Sequence, residues 1–166
     1  MATALISVEE YLRTSYKPGC EYIDGVLRQK SLPTYDHAFV QSRLIALISA
    51  LYRAYLALPE LQCKIREGEY LIPDVAILEA SKPQRPYPTE PIFAGVEILS
   101  PEDRVGQMLA KCEEYHAWGV THCWVIDPER KTAWVYRKGS EPLHVDGTGD
   151  LVADEMKIPV ADLFPL

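Results

Sequence analysis

The chain has 166 residues, 48% of them hydrophobic, which is the size of one domain with an ample core. A formal charge of -7 counts against wide contact with nucleic acid by counterion release, although a cleft of carboxylates that hold divalent ions can meet a phosphate without being basic. Four cysteines, Cys20, Cys63, Cys112 and Cys123, lack the dense spacing of a secreted disulfide framework, so free thiols in a reducing, cytoplasmic setting are expected.

The first residues, MATALISVEEYL, carry no positive segment and already include Glu9 and Glu10, which argues against a cleaved leader. Ser7, with Glu10 three residues on, reads as the N-cap of a short helix. Asp24-Gly25 supplies the positive φ values of a tight turn, which predicts a hairpin between 21–23 and 26–28. Val40, Leu44, Leu47, Ile48, Leu51 and Tyr55 recur at helical spacing, so an amphipathic helix is predicted over 35–58, ended by Pro59. Its apolar stretch is interrupted by Gln41, Arg43 and Arg53, and no membrane span is expected.

Beyond a turn at Gly68, residues 74–78 read as a buried strand that follows a proline. Four prolines within 81–91 mark an irregular connection. A strand over 93–99, a helix over 102–118, a strand over 121–126 and another over 132–137 follow, so the helix links two strands as a crossover. The tail, 139–166, predicts a short strand near Leu143 and a last apolar turn at Leu163-Phe164 packing on the core. The sum is one α/β domain over 1–166, with an N-terminal helix and hairpin (1–30), a core (35–137) and a tail (139–166) around a mixed central sheet flanked by helices.

Two acids lie in strands that otherwise read as buried: Asp74 opening DVAIL and Glu97 inside VEILS. An unpaired carboxylate in a core is costly, so such groups are paired, hydrogen bonded or bound to a cation. Taken singly, each is equally consistent with a strand-end Asp and an outward-facing Glu. On the helix, Gln107, Lys111, Glu114, Tyr115 and Trp118 share one stripe, which aims Lys111 toward the end of the Glu97 strand; an isolated helical lysine would otherwise be read as solvated. Cys112, His116, His122 and Cys123 suggest zinc ligands, but adjacent residues of a strand point to opposite faces, which opposes a joint site. Ser100 reads as a cap for the helix after Pro101.

Pro73-Asp74, Val96-Glu97-Ile98-Leu99-Ser100-Pro101, Lys111 followed by Tyr115, Gly119-Val120 and Trp124-Val125-Ile126-Asp127-Pro128 together resemble the Uma-type restriction endonuclease family of the PD-(D/E)XK nuclease superfamily. The resemblance extends upstream to Ser7-Val8-Glu9-Glu10-Tyr11-Leu12, Glu21-Tyr22-Ile23-Asp24-Gly25 and His37, and downstream to Leu163-Phe164. It implies a restriction-endonuclease-like core in which Asp74 and Glu97, with the backbone carbonyl of Ile98, hold Mg²⁺ or Mn²⁺. It further implies that Lys111 replaces the superfamily lysine, whose usual place is taken here by Leu99. Glu21 matches an acid that some members add near the metal, and His37 matches a histidine placed near the cleft. The implied activity is endonucleolytic hydrolysis of DNA phosphodiester bonds by a metal-activated water. A homodimer is compatible with cutting both strands. The competing expectation, motivated by Leu99, is a catalytically impaired nucleic-acid-binding or regulatory module of the same fold. A metabolic enzyme finds no support, as no Gly-rich phosphate loop, nucleophile elbow or HExxH motif is present.

Overall fold

The computed structural model describes residues 4–166; the first three residues of the segment read for a leader lie outside the described residues. Ser7 caps helix α1 (Val8–Arg13), its hydroxyl accepting from the Glu10 amide. The Asp24-Gly25 turn has φ values of 47° and 91° and joins β1 (Cys20–Ile23) to β2 (Val26–Gln29), as the dipeptide predicts. Helix α2 (Tyr35–Leu51) buries Val40, Leu44 and Ile48.

The helix ends at Leu51, short of the predicted 58. From Tyr55 the chain turns into β3 (Tyr55–Pro59), an edge strand paired antiparallel to β6 (Val75–Glu79) along its whole length. Leu51 is already 61% exposed, so a longer helix would have carried its apolar stripe into solvent. The strand instead gains a ladder, buries Ala57 and packs Tyr55 on Phe93 at 4.5 Å between ring centroids. The turn at Gly68 joins two short strands, β4 (Cys63–Arg66) and β5 (Glu69–Leu71), where only a turn was expected.

The crossover is as predicted: β7 (Ala94–Ile98), α3 (Val105–Trp118) and β8 (His122–Asp127) form a unit with β7 and β8 parallel. The remaining strands are β9 (Thr132–Arg137), β10 (Leu143–Val145), β11 (Asp150–Ala153) and β12 (Met156–Pro159), followed by a 3₁₀ turn, Val160–Leu163. The central six-stranded sheet runs β10-β9-β8-β7-β6-β3, mixed because only β7 and β8 are parallel. A four-stranded antiparallel sheet, β2-β1-β5-β4, stands beside it. This is the mixed sheet flanked by helices of a restriction-endonuclease-like fold, with the four-stranded sheet and a two-stranded sheet, β11-β12, beyond the central one.

Alternation along the strands sorts the core into two halves. Val75, Ile77, Val96, Ile98, Trp124 and Ile126 join α2 and the β11–β12 hairpin on one face; Ala76, Leu78, Val125 and Cys123 join Tyr115 and Cys112 of α3 on the other. Burial of both faces explains why β7 and β8 read as continuous apolar runs. The tail packs on the core through Leu151, Met156, Ile158 and Leu163. Among the described residues no helix is long and apolar enough to cross a membrane.

Candidate active site

Glu97 lies one residue before the end of β7, and alternation with Val96 and Ile98 turns it to the α3 face. Gly95, on the same face, is small for a reason: a Cβ there would come within 3.3 Å of the Tyr115 ring. That close approach lets the Tyr115 hydroxyl donate to Glu97 Oε1 at 2.8 Å. Lys111, one turn earlier on α3, reaches the same oxygen at 2.8 Å and Glu21 Oε1 at 2.5 Å. The helical stripe predicted this aim. Among the described residues Glu97 Oε2 has no hydrogen-bond donor. Burial pushes the Glu97 carboxyl up to about 7; Lys111 pulls it down and the charge of Asp74 adds to the rise.

Glu21 comes from the smaller sheet. Alternation on β1 sends Tyr22 into an aromatic cluster with Tyr11 and Tyr70, and Glu21 to the opposite side. It faces Arg28 across the hairpin, and the Arg28 Nε donates to its Oε2 at 2.8 Å. The Ile72 amide donates to its Oε1 at 2.8 Å. Burial alone would raise this carboxyl, but Lys111 and Arg28 outweigh it and hold Glu21 below its ordinary value. For Lys111, burial disfavours the charge and the two carboxylates overcome it, keeping the ammonium protonated.

Asp74 immediately precedes β6, next to β7 in the sheet, and its oxygens are nearly filled. Oδ2 accepts from the Ile98 amide at 2.6 Å and faces His37 Nε2 at 3.4 Å. Oδ1 accepts from Lys30 Nζ at 2.9 Å. Burial opposes ionisation here, but the His37 contact, Lys30 and the Ile98 amide outweigh it and hold the carboxyl well below the usual range. Glu21, Lys30, His37, Asp74, Glu97 and Lys111 line one cavity of about 410 Å³.

Residues 8–163 match the model of the family described as "Uma2: Putative restriction endonuclease". The chain belongs to the Uma2 family. The matched span contains each of the acids and lysines of the cavity. The Uma2 chain is also similar to a crystal structure of a "putative nuclease belonging to DUF820" from Anabaena variabilis, with a TM-score of 0.80 over 95% of this chain and 97% of that one. At 24% identity this similarity shows the fold. No curated protein matches the chain.

The five side chains singled out from the Uma2 sequence, Glu21, His37, Asp74, Glu97 and Lys111, converge on the cavity, and Ile98 borders it. His37 is 5% exposed and its Nδ1 is buried without a partner. Lys30 was not anticipated. It follows β2 in a segment with no motif, and only the fold carries it to Asp74; the alternation of β2 could have flagged its side, but nothing in sequence named its partner. Ser100 does not cap α3: Arg104 holds the cap position without a side-chain bond, and Asp103 turns its carboxylate back to the Ser100 amide at 2.8 Å. The cysteine and histidine residues are engaged elsewhere, His116 with the Tyr136 carbonyl at 3.1 Å and His122 with Asp154 at 3.1 Å. All four cysteines are buried free thiols.

Proposed function

We propose that this protein is a nuclease that hydrolyses DNA phosphodiester bonds with the help of a divalent cation, Mg²⁺ or Mn²⁺, held by Asp74, Glu97 and the backbone carbonyl of Ile98. The observation that carries the reading is the meeting of Asp74 and Glu97, from adjacent strands, with Lys111 fixed on Glu97 in a single cavity. Among the described residues no group of three or more His, Cys, Asp or Glu side chains gathers as a metal centre. The donor set nevertheless fits a hard cation of the Mg²⁺ type, which typically takes one or two carboxylates and completes its shell with waters and substrate phosphate oxygens. The Glu97 oxygen that lacks a donor, on a carboxyl pushed up to about 7 by burial, is what such an ion would satisfy.

Once bound, the cation would activate a water and neutralise charge gathering on phosphorus. The chain's own groups set the geometry around it. The Ile98 amide and His37 fix Asp74, while Tyr115 and Lys111 fix Glu97, so neither carboxylate reorients during the reaction. Glu21 positions Lys111 from the far side and is itself fixed by Arg28. Lys111 takes the part of the lysine displaced by Leu99: its charge lies beside Glu97, supplied from the helix.

The test is nicking of supercoiled plasmid and of single-stranded DNA in Mg²⁺ or Mn²⁺, with EDTA as the blank. Wild type is expected to nick, and Asp74→Ala and Glu97→Ala to lose nicking by at least about a hundredfold, the size of removing a preorganised electrostatic group. Nicking that survives both substitutions would overturn the assignment.

A further inference from the structure

The ammonium of Lys30 is fully engaged. It donates to Glu60 Oε2 at 2.7 Å, the Ile72 carbonyl at 2.9 Å and Asp74 Oδ1 at 2.9 Å, which uses all three of its N–H bonds. A carboxylate offers about four acceptor positions. On Asp74 they receive the Ile98 amide, the His37 ring and Lys30, leaving one. In this arrangement Asp74 has little room for a cation and Lys30 has no hydrogen for a phosphate.

The two lysines of the cavity are not equivalent. Lys111 stands between Glu21 and Glu97, both 2% exposed, and its departure would leave two buried carboxylates without their shared cation. Of the two carboxylates that Lys30 bonds, the outer one, Glu60, has a side chain that is 48% exposed and remains hydrated without it. Gln41 holds that partner from the other side, donating to Glu60 Oε1 at 3.0 Å and to the Asp74 carbonyl at 2.7 Å. Glu60 thus gives Lys30 a fixed outer anchor when its inner contact is lost. Lysine suits such an exchange, being a point charge with rotatable donors on a flexible stem.

We propose that Lys30 is a phosphate-binding residue held in reserve: it neutralises Asp74 in metal-free protein, leaves that carboxylate when a divalent cation binds, and turns its ammonium to a phosphodiester oxygen of the substrate. The inference rests on the reading of Asp74 as a cation ligand. It assigns Lys30 to substrate and leaves Lys111 as the fixed charge beside Glu97. Held in these ion pairs, both ammonium groups are expected to exchange their hydrogens slowly enough in EDTA to be followed separately.

The experiment is NMR of the full chain carrying ¹⁵N-labelled lysine side chains and backbone amides, with the Lys30 and Lys111 ammonium signals assigned through their own side-chain carbons. Both signals are expected in EDTA. Mg²⁺ alone should abolish the Lys30 signal, shift the Ile98 amide that bonds Asp74 and leave the Lys111 signal in place. A phosphorothioate-protected oligonucleotide added next should restore a Lys30 signal at a new position. If Mg²⁺ shifts the Ile98 amide while the Lys30 signal stays unchanged, or if the oligonucleotide does not restore a lost signal, the proposal for Lys30 is overturned and the cation site stands. If Mg²⁺ moves neither the Ile98 amide nor any lysine signal, both the proposal and the cation reading are overturned.

Discussion

Replacing Lys111 with methionine tests whether the buried charges hold the site together. The side chain is 7% exposed and contacts Glu21 Oε1 and Glu97 Oε1, with its ammonium 5.8 Å from the centre of the Tyr115 ring. Methionine keeps much of the apolar volume, so the change isolates the ammonium. Glu21 retains Arg28 and the Ile72 amide, whereas Glu97 retains only Tyr115. Breaking a buried pair by removing one partner typically costs about 3–5 kcal/mol, since the other charge stays behind in low dielectric. For a domain of this size, each kcal/mol lowers Tm by roughly 2–4 °C, so a fall of roughly 6–20 °C is expected. The charge explanation makes a second demand: Glu97→Gln added to Lys111→Met should recover part of the loss, because the orphaned charge is gone. Urea denaturation of the two single variants and the double variant at neutral pH gives the coupling between the positions. A Lys111→Met variant within about 1 kcal/mol of wild type would refute the account, since an exposed pair contributes no more than that.

Saturating Mn²⁺ should raise the Tm of wild type and leave Asp74→Asn unmoved; at a hundred times Kd the native state gains about 2.7 kcal/mol, read by a thermal melt with and without EDTA. Gly95→Ala should cost about 1–3 kcal/mol in urea denaturation, because the new methyl meets the Tyr115 ring at 3.3 Å and pushes the hydroxyl from Glu97. His116 is held below its ordinary value of 6.5 by burial, against the contrary pull of the Tyr136 carbonyl. The unfolded chain therefore takes up this proton more readily, and the stability tied to a neutral His116 is present above pH 6.5 and lost as pH falls through it. The difference in Tm between wild type and His116→Gln, followed from pH 8 to pH 5, should change in that direction; a flat difference would remove His116 from the pH response.

What could be read from sequence was whatever local chemistry determines. Ser7 with Glu10 and Asp24-Gly25 act within a few residues, and both formed as predicted. Lys111 was legible because helical spacing and the crossover together place it over the strand that precedes it. The end of α2 was not, because Tyr55 continues the helical spacing by coincidence and only pairing with β6 makes 55–59 a strand. Strands β4, β5, β11 and β12 are three or four residues long, too short for period-2 alternation to stand out. Lys30 lies 44 positions from Asp74, and no local pattern marks a contact made by tertiary structure alone.

The acidic character of the chain seemed to oppose a nucleic-acid substrate, yet the cavity turns that objection into a condition. Five carboxylates line it, Glu21, Asp74, Glu97, Asp103 and Glu114, against three side-chain cations, Arg28, Lys30 and Lys111. With all five ionised the excess is two negative charges, which repels a phosphate approaching within a Debye length of about 8 Å at physiological salt. One divalent cation removes the excess. Substrate affinity on the proposed reading is therefore conditional on the metal, and should be lost in EDTA even for an oligonucleotide that cannot be cleaved. A basic cleft would instead hold DNA with or without metal, and its binding would weaken with salt in proportion to the phosphates neutralised. Fluorescence anisotropy of a labelled, cleavage-resistant oligonucleotide separates the two: equal affinity in EDTA and Mg²⁺ would show that the phosphate is held by fixed charges elsewhere on the surface.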